Sequence, residues 1–188
     1  YRAGTYSSTV QVSATDTAGN VANTTHSIRV DTEVVPFQRL TIATGADDIV
    51  NAAEAAGGLA VTGVVEPGST VMVRFGAGGT QVPATVAADG SWSVTIPAGQ
   101  IPAGENMVAM TITATDAVGN TSVLNEQVRV DTVVRNLART GGDIAGDGII
   151  NAVEAQAGVT FAGTVEPNSA VVVRCLLYTS PSPRDRTR

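Results

Sequence analysis

Residues 59–75, LAVTGVVEPGSTVMVRF, contain two apolar alternations separated by a tight turn. Every second position in both runs is apolar or glycine: Leu59, Val61, Gly63 and Val65, then Val71, Val73 and Phe75. Pro67 and Gly68, between the runs, are residues that favour turns. Because successive side chains of a strand point to opposite faces, this segment predicts two consecutive antiparallel strands, each with one buried face.

The same alternation continues as far as residue 130. The in-phase positions are Trp92, Val94 and Ile96, then Val108, Met110, Ile112 and Ala114, and finally Val128 and Val130. Turn sequences such as Asp89-Gly90 separate these runs. About seven short strands in roughly a hundred residues predict an all-β fold, an antiparallel β-sandwich with Trp92 in its core.

Residues 47–58, DDIVNAAEAAGG, interrupt the strand pattern. Acidic residues at the start, alanines in the middle and glycines at the end are typical of a short capped helix. We place this helix between the first two strands of the sandwich. The segment 147–158 has the same design and predicts a second helix of the same kind.

The chain repeats itself after a shift of one hundred residues. SATDTAGN at 13–20 aligns with TATDAVGN at 113–120, and the RVDT at 29–32 recurs a hundred residues later. The repeat predicts three domains in series. Residues 1–32 are the last strands of a truncated repeat, 33–132 are a complete repeat, and 133–174 are the first part of a third.

The last residues, 175–188, differ in character from everything before them. They read CLLYTSPSPRDRTR and lack any strand alternation. This string resembles the translation of an adapter used in preparing sequencing libraries, which implies a tail foreign to the protein; the alternative is a native tail rich in Pro and Arg. The chain also opens at Tyr1 without an initiator Met or a signal peptide. We therefore expect a fragment.

Composition excludes several function classes. The 11 basic residues are all Arg, and 17 acidic residues give a net charge of −6, which is unfavourable for binding nucleic acid. A single histidine, His26, and a single cysteine, Cys175, cannot supply an ordinary zinc site or alternative catalytic triads. No apolar run approaches the roughly 20 residues of a membrane span. We expect neither an enzyme nor membrane insertion.

Several motifs recur in fixed order. Ile49-Val50-Asn51-Ala52-Ala53-Glu54-Ala55 precedes GVVEPGSTV at 63–71; ADGSWSV, TATDAVGN and VRVDT follow at 88–94, 113–120 and 128–132. This order resembles the bacterial immunoglobulin-like repeats of large surface adhesins and biofilm-associated proteins, which are often exported by type I secretion.

The resemblance covers residues 1–174. It implies an extracellular, non-enzymatic stalk of tandem immunoglobulin-like sandwiches, commonly stiffened by calcium. Its partners are then neighbouring repeats of the same chain, and other domains contact a host or biofilm surface. Two alternatives stay open: a module that itself binds glycans or proteins, and an accessory domain of an extracellular enzyme. Exposed aromatic residues would favour the glycan-binding module.

Acidic side chains are the only candidate metal ligands. Because antiparallel strands alternate in direction, the loops of the complete repeat fall at two ends. We expect one end to collect Glu66, Asp89 and the 116–120 loop beside the incoming linker, and the other to collect Asp47, Asp48, Glu54 and Glu105 beside Asp131. Crowded carboxylates repel, and a calcium ion liganded by oxygens removes that repulsion. The predicted calcium ligands are Asp31, Asp47, Asp48, Glu54, Asp116, Asn120, Asp131, Asp143, Asp147 and Glu154.

The same residues can also have simpler, local roles. Asp47 or Asp48 can cap the helix while Glu54 stays solvated, and Asp116 with Asn120 can close an Asx-type turn. Residues 143–154 match an EF-hand loop only in part, since Ala145 stands at the third ligand position.

Overall fold

The computed structural model describes residues 3–174. Of the described residues, those up to Val133 form one compact unit and those from Val134 onward form a second. The tail 175–188, for which a foreign origin is predicted, lies outside the described residues. Among residues 3–174, no helix is long and apolar enough to cross a bilayer.

The first unit begins with a hairpin. Strands β1 (Tyr6–Thr15) and β2 (Val21–Val30) pair antiparallel along their whole length, from Tyr6 opposite Val30 to Thr15 opposite Val21. The five residues 16–20 connect them. At a shift of one hundred residues, these strands align with Glu105–Thr115 and Thr121–Asp131. That residues 1–32 belong to a truncated repeat stays a prediction.

A two-layer sandwich follows the hairpin. Its elements are β3 (Phe37–Ile42), β4 (Ile49–Val50), α1 (Ala52–Gly57), β5 (Leu59–Val65), β6 (Thr70–Phe75), β7 (Gln81–Pro83), β8 (Thr85–Val86), β9 (Ser91–Ile96), β10 (Glu105–Thr115) and β11 (Thr121–Asp131). One sheet has the order β4-β11-β10-β6-β7 and the other the order β3-β5-β9-β8. The predicted all-β class and the sandwich are confirmed. A helix forms in the predicted segment 47–58 but is limited to Ala52–Gly57, because residues 49–50 form the strand β4.

The core lies between the two sheets and consists of the in-phase residues of the alternating runs. Trp92, only 2% exposed, is packed against Gly63, its partner across the β5–β9 pair. A Cβ atom at Gly63 would lie 2.4 Å from the Cζ2 atom of the indole. The glycine therefore makes room for the largest core side chain, and the predicted position of Trp92 is confirmed.

The strand count and one pairing differ from the expectation. Nine strands form rather than about seven, and the two-residue β4 pairs with β11 in parallel, with Ile49 opposite Arg129 and Val50 opposite Val130. Val50 becomes fully buried as a result. A strand of two residues is too short to show an alternating pattern in the sequence. Its position depends on pairing with a strand eighty residues away.

The second unit contains counterparts of β3, α1 and β5, and its two strands are shorter. Strands β12 (Ala138–Thr140) and β13 (Ala162–Thr164) pair antiparallel, and helix α2 (Ala152–Ala157) lies between them in sequence. Short 3₁₀ turns occur at Ala98–Gln100 in the first unit and at Ile144–Gly146 in the second.

Candidate functional site

The loop after β10 is built around a nearly buried carboxylate. Asp116 is 8% exposed, and its Oδ1 atom accepts the backbone N–H groups of Val118 at 3.0 Å and Asn120 at 2.8 Å. The side-chain amide of Asn120 donates to Oδ2 at 2.8 Å. The two residues therefore close the Asx-type turn that the sequence allows.

These contacts keep Asp116 ionised. Burial raises the pKa of Asp116, but the hydrogen bonds from Asn120 and Val118 together lower it by more. The pKa therefore lies below its ordinary value. A carboxylate that is desolvated but still charged is suited to contact with a cation.

The same loop also reaches the segment that connects the hairpin to the sandwich. The Asn120 amide donates a second hydrogen bond to the carbonyl oxygen of Asp31, at 3.1 Å. Asp31 is the first residue after β2. One asparagine thus joins the end of one repeat to the closing loop of the next.

A third acidic residue approaches from the turn after β5. The Oε2 atom of Glu66 accepts the backbone N–H of Val35 in the linker at 3.4 Å. In the second unit, Glu166 accepts the N–H of Arg135 in the same way, at 3.1 Å. Because the contact recurs in both units, it is a property of the repeat.

Asp31, Glu66 and Asp116 form the junction cluster. Each contributes one carboxylate oxygen, and the three oxygens lie within 4.8 Å of one another. Asp31 also accepts the Thr5 hydroxyl at 2.9 Å and pairs with Arg29 at 3.5 Å. The Arg29 side chain is mostly exposed, so most of the negative charge in the cluster is left without a nearby cation.

The cluster has the dimensions of a hard-cation site. Calcium–oxygen distances of about 2.3–2.6 Å place two oxygens on opposite sides of one ion about 4.6–5.2 Å apart. Oxygens within 4.8 Å of one another can therefore all contact a single ion. Each carboxylate keeps free lone pairs beyond its present hydrogen bonds, and calcium prefers such oxygen ligands.

Sequence reasoning placed Glu66 at this end of the repeat but did not include it among the ligands. The recurrence of Glu66-Pro67 as Glu166-Pro167 was the available signal. Asp89, expected at the same end, lies outside the cluster and accepts the N–H and hydroxyl of Ser91 at 2.9 and 2.6 Å. These bonds lower the pKa of Asp89.

The residues expected at the opposite end are used locally. Glu54 and Asn51 form a capping box, in which the Glu54 carboxylate accepts the Asn51 N–H at 2.9 Å. The expectation that Asp47 or Asp48 caps the helix while Glu54 stays solvated is therefore wrong, because the helix begins only after Asn51. Asp47 accepts the N–H of Ile49 at 3.2 Å, and Asp131 that of Val133 at 3.5 Å. In the part of the chain that the structure describes, neither they nor Asp48 belong to a cluster of three acidic residues. Their role as ligands stays a prediction.

The second unit repeats the local arrangement. Glu154 and Asn151 form the same capping box, with the N–H of Asn151 donating to Glu154 at 2.9 Å. Asp147 accepts the N–H of Ile149 at 2.9 Å, and Asp143 precedes the 3₁₀ turn. The last position of the EF-hand-like pattern is therefore occupied in helix capping.

Comparison with known proteins identifies one family. Residues 47–131 match the model of a family described as a bacterial Ig domain. No curated protein sequence is significantly similar to the chain.

The solved structures that are similar to the chain include the following three. The first is a Ca²⁺-stabilized adhesin that helps an Antarctic bacterium reach out and bind ice, with 33% identity and a TM-score of 0.39 over 85% of this chain and 40% of that one. The second is a tetra-tandem repeat in the extending region of a large adhesion protein, with 21% identity and a TM-score of 0.39 over 73% and 34%. The third is a 1.5-MDa bacterial ice-binding adhesin, with 27% identity and a TM-score of 0.35 over 68% and 42%. The chain spans less than half the length of each.

Proposed function

Since residues 47–131 form a bacterial Ig domain, we propose that the chain is an extender segment of a bacterial cell-surface or secreted adhesin. In this role identical sandwiches stand in series and hold a distant binding domain away from the cell. Calcium binds at the junctions and stiffens them. The junction cluster is the single observation that carries this proposal.

The complete repeat holds the linker at both of its ends. At its start, the Asp31 carbonyl accepts the Asn120 amide; at its end, the Val35 N–H donates to Glu66. A flexible tether between independent modules needs no such contacts. Fixed linkers suit a chain whose task is to keep its length.

Calcium would act on the same contact. Asp31 belongs to the preceding repeat, whereas Glu66 and Asp116 belong to the complete one. An ion that contacts all three carboxylates neutralises their repulsion and ties two repeats together. Binding therefore favours the one arrangement of the linker in which the three groups meet.

The complete repeat favours an extender over a glycan-binding module. Its aromatic residues are Phe37, Phe75 and Trp92. Phe75 and Trp92 are buried in the core, and Phe37 packs against it. None of the three is therefore placed as an exposed platform for sugar rings. Extracellular location, export by type I secretion and a non-enzymatic role belong to the same proposal.

Calcium titration of the full chain tests this function. We expect isothermal calorimetry to show binding at the junction and the Asp116→Asn variant to lose it, because asparagine can still accept the backbone N–H groups but lacks the charge. Asp89→Asn is the matched control, since Asp89 also closes a turn but lies outside the cluster. Absence of calcium binding, or equal loss in both variants, would contradict the calcium mechanism.

A further inference from the structure

Ser69 carries a buried hydroxyl group that none of the described residues satisfies. It is the last residue of the turn between β5 and β6 and is only 5% exposed. Among residues 3–174, its Oγ atom has no hydrogen-bond partner. Burying a hydroxyl without a partner is costly, and nearly all buried hydroxyls have one. A partner other than a protein group is therefore expected for this oxygen.

The position of Ser69 connects two members of the junction cluster. Its backbone N–H donates to the carbonyl oxygen of Glu66 at 3.1 Å. In the β6–β10 pair, Thr70 lies opposite Thr115, so one further step along the ladder places Ser69 opposite Asp116. Thr70 is exposed, whereas Ser69 and Asp116 are both buried. Because successive side chains alternate between the two faces of a sheet, these two lie on the same, core-facing side.

The hydroxyl is unpaired although a carboxylate lies across the ladder from it. Residues opposite one another in an antiparallel pair have Cβ atoms about 4.5–5.5 Å apart. Neighbouring oxygens at right angles around one calcium ion lie about 3.3–3.7 Å apart, whereas an O–H···O hydrogen bond needs about 2.7–2.8 Å. An oxygen that lies beside the carboxylates but is not bonded to them suits a shared ion better than a direct hydrogen bond.

The same turn recurs one hundred residues later. It reads Glu166-Pro167-Asn168-Ser169, and Asn168 has a positive φ of 67° where Gly68 has 86°. The residue at the corner differs between the two turns, but a serine follows the junction glutamate by three positions in each. The spacing of the two oxygen-bearing side chains is therefore a property of the repeat.

We propose that Ser69 is the neutral fourth ligand of the junction ion and binds calcium through a lone pair of its Oγ atom. This inference rests on the proposed calcium site and deepens it. The three carboxylates supply the charge, and the hydroxyl adds an oxygen from the core-facing side without adding repulsion. Calcium takes about six to eight oxygens, so water fills the remaining positions. Ser69 thus sets how many waters the bound ion keeps.

Terbium(III) luminescence tests the proposal on the full chain. This hard cation is similar in size to calcium, and its lifetimes in H₂O and D₂O count the waters bound to it. The junction site is the lifetime component that Asp116→Asn removes. In that component, Ser69→Ala should gain about one water, and calorimetry should show calcium binding weakened by about threefold to tenfold, because the replacing water must be immobilised.

Ser91→Ala is the matched control. The Ser91 hydroxyl donates to Asp89, outside the cluster, at 2.6 Å. Its removal should change neither the water count nor the calcium affinity. Fluorescence of the buried Trp92 verifies that the complete repeat is folded in each variant.

Thermal unfolding separates a ligand from a serine that serves the fold. Without calcium, Ser69→Ala should be at least as stable as wild type, because its hydroxyl has no hydrogen bond to lose, whereas Ser91→Ala should be less stable. Saturating calcium should raise the Tm less in Ser69→Ala than in wild type, and equally in Ser91→Ala and wild type.

The outcomes distinguish the ligand from the site. If Ser69→Ala leaves the water count and the affinity of the junction site unchanged, or loses stability without calcium, the assignment of Ser69 is wrong and the calcium site stands. If the wild-type chain shows no ion binding that Asp116→Asn removes, both the site and its fourth ligand are wrong.

Discussion

The loops 16–20 and 116–120 have nearly the same sequence and the same hydrogen bonds, but only one of them takes part in a site. Asp16 accepts the N–H groups of Ala18 and Asn20 at 2.9 and 2.8 Å, and the Asn20 amide at 2.7 Å. Asp116 makes the equivalent bonds. Hydrogen bonding from the asparagine lowers the pKa of Asp16 as well. The turn is therefore a local property of the motif.

The loops differ in their surroundings. Asp16 is exposed, whereas Asp116 is buried beside Glu66 and the linker, and Asn120 alone makes the additional bond to Asp31. Contact with the linker and with Glu66 therefore makes one of two similar turns part of the junction cluster. The first loop therefore serves as an internal control for the second.

The largest difference is expected in the stability lost on substitution in β10 and β1, the strands that precede the two loops. Ile112→Ala removes a fully buried side chain from β10 and should lower the free energy of unfolding of the complete repeat by about 2–5 kcal/mol. Val12→Ala, at the corresponding position of the open hairpin, should change it by less than about 0.5 kcal/mol. Denaturant titration followed by Trp92 fluorescence measures both. Similar losses would mean that the hairpin is packed as tightly as β10.

The second largest difference is expected in how variants of the two loops respond to calcium. A ligand that binds only the native state at a hundredfold excess over its Kd stabilises that state by about 2.7 kcal/mol, and 1 kcal/mol moves the Tm of a hundred-residue domain by roughly 4–8 °C. We expect saturating calcium to raise the Tm by several degrees. Asp116→Asn should abolish the rise and Asp16→Asn should leave it unchanged. An equal response of both variants would place the ion away from the junction cluster.

The asparagines provide a smaller contrast. Asn120→Ala removes the bond to the linker and should cost about 0.5–1.5 kcal/mol of stability in the absence of calcium. Asn20→Ala breaks only a bond within its exposed turn and should not move the main unfolding transition. Thermal unfolding of the two variants, side by side, measures the contribution of the bridge. A cost that is the same for both would show that the bond to Asp31 adds nothing.

Lowering the pH should produce the smallest difference between the two loops, because it should reduce the stability that each of them contributes. Because their folded pKa values lie below the ordinary value of about 3.9 for aspartate, Asp16 and Asp116 contribute stability that is fully present above that pH. It is lost as the pH falls through the lowered pKa values. Carboxyl chemical shifts in an NMR titration should show both midpoints below the ordinary value. A midpoint above it for Asp116 would mean that burial outweighs its hydrogen bonds.

Features that depend on neighbouring residues could be predicted from the sequence. The alternation in 59–65 and 71–75 identifies strands and their buried faces, because burial on one side of a sheet imposes a period of two. Turn chemistry locates the loops. The short helix was also predicted, but its cap was assigned to Asp47 or Asp48 and lies at Asn51, where Glu54 completes a capping box. The hundred-residue period predicts serial domains over 1–32, 33–132 and 133–174, and this division stays a prediction.

Features that join distant residues were decided only by the tertiary structure. The sequence placed nine acidic residues among the possible ligands; the fold brings two of these, Asp31 and Asp116, together with Glu66, while Glu54 is occupied at its own helix. The parallel pairing of β4 with β11 could not be foreseen from two residues. Local hydrogen bonds and alternation act over a few positions and can be read from the sequence there. The junction cluster depends on three loops, far apart in the chain, being placed by the packing of two sheets and a linker.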